Sequence, residues 1–163
     1  PNGQEYQETM MALYGAAYTL KSHYKVMGKD FKVMALEGLW WIKDGVFYMN
    51  NPAPRENWRW TSMIHVPDYI KQSAFDDVLL ALIEKRGEKV REVRLMEFDE
   101  GLSAQIMHIG PFSEEGPTIE KVHAFIEKQG CQRVGKHHEI YLSDIRRAAP
   151  EKWKTIVRQP MSE

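Results

Sequence analysis

The segment Trp60-Thr61-Ser62-Met63-Ile64-His65-Val66-Pro67 is echoed near the end of the chain by Trp153-Lys154-Thr155-Ile156-Val157-Arg158-Gln159-Pro160. Trp, a hydroxyl residue, two apolar residues and Pro recur in the same order. Such an echo predicts a chain built as two related halves. Related halves leave a cleft along their pseudo-twofold seam, and clefts between structural units are where small ligands bind.

Bulk properties narrow the function further. At 163 residues the chain suffices for one domain, residues 1–163, with a sizeable core. A net charge of −1 offers no polycationic surface for nucleic acid or anionic lipid. No apolar run approaches the ~18 residues of a membrane span, and no signal peptide is visible. The single Cys131 excludes an internal disulfide and fits a reducing cytoplasm. Five Trp and seven Tyr favour an aromatic-lined site as well as an aromatic core. The chain opens on Pro1 rather than Met, which suggests a processed or shortened form.

Periodicity predicts the elements. Asn2-Gly3-Gln4-Glu5 reads as a capped helix start. Met10, Leu13, Ala17, Leu20 and Tyr24 form its stripe and Gly28 its end. Strand text runs from Phe31 to Ile42. Lys43-Asp44-Gly45 turns the chain, and the loop Asn50-Asn51-Pro52-Ala53-Pro54 leads to a strand from Asn57 to His65. A second helix opens at Val66-Pro67-Asp68, with Ala74, Phe75, Val78, Leu79, Leu82 and Ile83 as its apolar face. Strands are expected at 90–98 and 102–109 around an Asp99-Glu100-Gly101 hairpin. A third helix starts at Pro117, with Ile119, Val122, Phe125 and Ile126 inward. Strands at 136–142 and 153–159 close the chain. The second half then reads strand, helix, strand, strand, and the first half lacks its opening strand.

The most informative local segment is His137-His138-Glu139-Ile140-Tyr141-Leu142-Ser143-Asp144. Alternation puts His137, Glu139 and Tyr141 on one strand face and Ile140 and Leu142 on the other, expected to face the helices. A mid-strand carboxylate is costly unless it is solvated, paired or functional. Glu37 has the same character on the corresponding strand. Trp40 and Trp41 point to opposite faces, and Trp58 and Trp60 share one. Cys131, His137 and His138 lack zinc spacing, so no metal is expected. There is no phosphate loop and no Gly-x-Ser-x-Gly, so no cofactor is expected either.

Leu36-Glu37-Gly38-Leu39-Trp40-Trp41, Trp58-Arg59-Trp60-Thr61, Ala104-Gln105-Ile106-Met107-His108-Ile109-Gly110-Pro111 and His137 through Lys152 together resemble the stand-alone GyrI-like small-molecule-binding proteins. The resemblance covers essentially the whole chain. It implies an α+β fold of tandem strand–helix–strand–strand halves, an antiparallel sheet and a ligand groove between the halves. Relatives include effector domains of MerR- and AraC-type multidrug regulators, a gyrase-inhibitory protein, and hydrolases that open cyclopropane-bearing alkylators. The family's ligand-facing strand glutamate maps onto Glu139. Tyr141 and Glu37 join it as candidate catalytic groups, and Trp40, Trp41, Trp60 and His137 as candidate ligand contacts. The implied partner is a hydrophobic aromatic or cationic small molecule. Hydrolysis, drug sensing or sequestration, and protein inhibition all remain open at this level. The missing opening strand and the short loop between Gly130 and Lys136 depart from the family pattern.

Overall fold

The computed structural model describes residues 3–43 and 55–163. The expected Asn2 cap, the turn at Asp44-Gly45 and the loop Asn50 to Pro54 lie outside the described residues. The chain forms two compact units: Pro1–Ala35 with Ser62–Phe98, and Leu36–Thr61 with Asp99–Glu163.

The first unit is helical. Helix α1 spans Gln4–Val26, with Glu5 in its first turn and His23 and Lys25 in its last, each complementing the helix dipole. It closes where Gly28 adopts φ 74° and bonds Lys25 O. Helix α2, Gln72–Arg86, begins several residues after the Val66-Pro67-Asp68 start expected from the sequence. Small residues on α1 admit α2 closely: a Cβ on Gly15 would lie 3.2 Å from Leu82 Cδ2. Leu20, Tyr24, Ile70, Phe75 and Val78 form one core, and Ala12, Leu82 and Val90 a second.

The strand expected at 90–98 is not formed. Glu88–Glu92 is a 3-10 turn, and the chain beyond it is extended without strand pairing. Val93 and Leu95 pack instead against the α1–α2 core. Their alternation reflects one-sided burial against helices rather than a ladder. Asp99-Glu100-Gly101 is accordingly no hairpin. Asp99 Oδ1 accepts from the Gly101 amide at 2.9 Å, and Gly101 takes φ 70° to turn the chain into the next strand.

The second unit holds the sheet. Its elements are β1 (Leu36–Ile42), β2 (Trp58–Ile64, whose last three residues belong to the first unit), β3 (Ser103–Ile109), α3 (Gly116–Lys128), β4 (Gln132–Arg133), β5 (His137–Tyr141) and β6 (Lys154–Ser162). The strand order is β2-β1-β5-β6-β3, with β4 pairing β6. The β1–β5, β5–β6 and β3–β6 registers are all antiparallel. β1 and β5 meet at the centre, flanked by β2 and β6, which carry or adjoin the echoed Trp segments. β3 lies beyond β6, and among the described residues no strand lies beyond β2. The structure bears out the α+β antiparallel fold.

Register decides which face each side chain occupies. Glu139 pairs with Val157 and Val157 with Ile106, so these share a face. Val157 is fully buried with Ala104 and with Ile119, Val122 and Ile126 of α3. His137, Glu139 and Tyr141 therefore stand on the face that α3 covers. Ile140 lies on the opposite face and Leu142 is exposed, which reverses the expectation that they would face the helices. Alternation separates the two sets, but only the helix decides which set is inside. Phe125, expected on the core side, is half exposed.

Candidate functional site

The α3 face of β5 carries a connected set of polar groups. Trp40 Nε1–H donates to the Tyr141 hydroxyl at 2.9 Å, and that hydroxyl donates to Glu139 Oε2 at 2.8 Å. His137 Nε2 lies 3.0 Å from Glu139 Oε1. Both carboxylate oxygens are thus engaged, which fixes the carboxylate's orientation. Gly38, paired with Glu139 across the β1–β5 ladder, makes room for this arrangement. A Cβ there would lie 2.8 Å from Trp40 Nε1 and 2.9 Å from the Tyr141 oxygen.

Aromatic rings surround the chain of hydrogen bonds. Trp40 meets Trp58 edge-on at 6.4 Å, and Phe112 contacts Tyr141 at 5.7 Å and Trp153 at 5.1 Å. Alternation along β2 places Trp60 on the same face as Trp58. Trp153 is itself held by a 2.8 Å bond from its indole N–H to Ala148 O.

Glu115 adds a second carboxyl. It occupies the position before the first residue of α3, without a side-chain capping bond, and is 5 % exposed. His108 sets this turn: its ring nitrogens lie 3.0 Å from Thr118 Oγ1 and 3.2 Å from Pro111 O. Burial, then the charge of Glu139, raise the Glu115 pKa to about 8, and the Thr155 hydroxyl offsets only part of this. Glu115 is therefore mostly protonated at neutral pH.

The opposite face carries a different network. His138, 1 % exposed, sits between Glu100, at 2.9 Å from Nδ1, and Glu37, at 2.9 Å from Nε2. A ring with both nitrogens against carboxylates carries both hydrogens. Burial alone would lower its pKa, but hydrogen bonds to Glu100 and Glu37 and their charges push it up to about 9. Arg158 donates to Glu100 at 3.3 Å and to Gln105 at 2.8 Å. Burial works against ionisation of Glu100, but His138 and Arg158 hold its carboxyl below the usual range. Lys136 lies 3.6 Å over the Trp41 ring on this same face.

The residues singled out in the sequence thus divide. Glu139, Tyr141, His137, Trp40 and Trp60 stand on the α3 face. Glu37 and Trp41 stand on the other, with the sheet between them and Glu139. Sequence reasoning missed Glu115 as a neighbour of Glu139, and Phe112, backed by Trp153, as the ring against Tyr141. The Trp echo pointed at Trp153, but no local pattern marks Glu115.

A shallow, open depression of about 540 Å³ in the first unit is lined by Tyr18, Lys21, Asp30, Phe31, Lys32 and Val33. The Lys21–Asp30 ion pair forms part of its lining, and it holds none of these groups. Among the described residues, no His/Cys/Asp/Glu cluster could hold a metal ion, and no helix is long and apolar enough to cross a membrane.

The family model for the GyrI-like small molecule binding domain matches residues 3–160. The chain belongs to the GyrI-like family. It is 40 % identical to an uncharacterised conserved protein from Listeria innocua, over 99 % of this chain and 82 % of that one, with a TM-score of 0.88. Two further Listeria innocua structures, each described as a hydrolase, are 38 % and 39 % identical over the same shares, with TM-scores of 0.82 and 0.84. No curated protein matches. As a GyrI-like domain, the chain is a small-molecule-binding protein.

Proposed function

We propose that the α3 face of the sheet binds a flat, hydrophobic aromatic xenobiotic and opens a strained, conjugated cyclopropane in it by adding water, as a detoxifying step in the cytoplasm. The observation that supports this most is the oriented Glu139 carboxylate, held by Tyr141 and His137 among Trp40, Trp58, Phe112 and Trp153. The hydrolase description of two Listeria relatives points the same way.

In this reading the Tyr141 hydroxyl turns its single hydrogen from Glu139 to the ligand's conjugated oxygen, where negative charge builds as the ring opens, and so frees Glu139 Oε2 to act on water. Glu139 takes a proton from the attacking water within about 3 Å, an assistance worth about 10²–10⁴-fold. The indole walls hold the substrate in line, so positioning supplies part of the rate. Glu37, on the other face and bonded to His138, has no part in the step. Excess activated cyclopropane is incubated with trace protein. Many equivalents of ring-opened product support the enzyme, and a ring that stays closed over hours rejects it.

A second reading is capture of an aromatic cation without chemistry. One observation favours it: no Lys or Arg occupies the α3 face at the paired positions of β1, β5, β6 and β3. A sequestering protein would protect only one equivalent per site, which separates the two readings by stoichiometry.

A further inference from the structure

Glu115 and Glu139 are two carboxyls on one face of the sheet, Glu115 5 % exposed and the Glu139 side chain 14 %. The groups on the elements around them are His137 and Tyr141 of β5, His108 of β3, Thr155 of β6, His123 of α3 and Glu114 beside Glu115. His137 and Tyr141 are bonded to Glu139. His108 is bonded to Thr118 and Pro111, and His123 lies 2.9 Å from Arg133. Lys121 of α3 is exposed. Among the described residues, Glu115 Oε1 is buried without a hydrogen-bond partner. A carboxylate in that setting would be an unsolvated charge facing a second one, so the buried group keeps its proton.

We propose that Glu115 is the proton-bearing partner of Glu139, and that a cationic aromatic ligand settling beside Glu139 drives that proton off the site. A positive charge beside two carboxyls cancels the repulsion from Glu139 and, by its own attraction, offsets the burial that together keep the second one neutral. The site then changes its charge to match its occupant: one negative charge when empty or holding a neutral aromatic, two when holding a cation. Ligand charge and bound proton are linked reciprocally, so higher pH strengthens cation binding and leaves neutral ligands unaffected. The inference rests on the α3 face being the ligand site.

The test uses the full chain and tetraphenylphosphonium, a permanent aromatic cation with no proton of its own. Calorimetric titration in buffers of different ionisation enthalpy counts released protons. With Glu115 titrating near 8, about nine-tenths of a proton leaves per cation at pH 7 and almost none at pH 10. Affinity rises close to tenfold per pH unit below 8 and then flattens. Glu115→Gln, which mimics the protonated form, binds the cation but releases no proton and shows no slope. Carboxyl carbon NMR of the unliganded protein provides a second readout: Glu115 titrates near 8, and lower in Glu139→Gln, where burial alone still holds it above the ordinary range. Cation binding that requires Glu139 but releases no proton, or equal release from Glu115→Gln, overturns the inference alone. A Glu115 resonance titrating in the ordinary carboxylate range does the same. No binding by the wild type, or unchanged binding by Glu139→Gln, overturns the ligand-site reading and the inference with it.

Discussion

Tyr141 and Glu139, two residues apart on one strand, are joined by a 2.8 Å hydrogen bond from the phenol to the carboxylate. Trp40 from the neighbouring strand donates to the same phenol oxygen. Tyr141 thus passes order from an aromatic wall to the carboxylate.

The first prediction concerns this pair. Glu139→Gln keeps the shape and removes the base, so ring-opening turnover should fall about 10²–10⁴-fold. Tyr141→Phe removes the donor to the developing anion, and turnover should fall about 10²-fold. Both proteins should retain wild-type circular dichroism. Wild-type turnover in both variants would reject the mechanism even if the activity were real.

A second prediction tests the packing beneath the pair. In Gly38→Ala the new methyl would crowd Trp40 Nε1 and the Tyr141 oxygen at less than 3 Å. One of the two must move, and their hydrogen bond breaks. The near-ultraviolet circular dichroism of the aromatic rings should change, and ligand affinity should drop about tenfold, on the scale expected for a displacement well under 1 Å. Unchanged spectra and affinity would mean that the contact has no part in shaping the site.

The third prediction is a stability profile. The folded pKa of His138 lies at about 9, above its ordinary value of 6.5. The folded state therefore holds the proton more tightly than the unfolded chain. Its stabilisation is fully present below pH 6.5 and is lost as pH rises through 9, by an amount on the order of 3 kcal/mol. Glu115, also raised, destabilises in the same direction between its ordinary 4.5 and about 8. Urea unfolding should therefore show stability falling from pH 6 to pH 9.5. Glu115→Gln should remove the fall below pH 6.5 and about half the slope between 6.5 and 8, and Glu37→Gln should shrink the fall between 6.5 and 9. A flat profile would contradict both assignments.

Ile126 supplies the fourth. It is fully buried between α3 and the sheet, beside Val157. Ile126→Ala should cost about 2–5 kcal/mol, the price of lost transfer energy and a cavity. Because α3 carries Glu115 at its start, the same change should also weaken ligand binding. A loss under 1 kcal/mol in denaturant unfolding would show that α3 is not anchored as described.

Much of this protein was legible in its sequence because the deciding physics is local. Three-to-four periodicity placed the apolar faces of α1, α2 and α3. Alternation put His137, Glu139 and Tyr141 on one face and His138 on the other. The Trp echo anticipated that β2 and β6 take corresponding places on either side of the central pair. The segment 90–98 misled for an equally physical reason, since one-sided burial against helices produces the same alternation as a strand.

Tertiary structure decided the rest. Alternation divides side chains between two faces but cannot say which face a helix will cover; Val157 packing on Ile119, Val122 and Ile126 settled that for Glu139. Glu37 and Glu139 looked alike as mid-strand carboxylates. Register alone sent Glu37 to His138 and left Glu139 with Tyr141. Glu115 sits in no motif. It became a neighbour of Glu139 only because α3 packs against β3 and β6, the strand beside β5, and burial there changes its protonation. Local sequence determines element type and face parity through backbone geometry, whereas partners and charge states come from long-range pairing and from the exclusion of water.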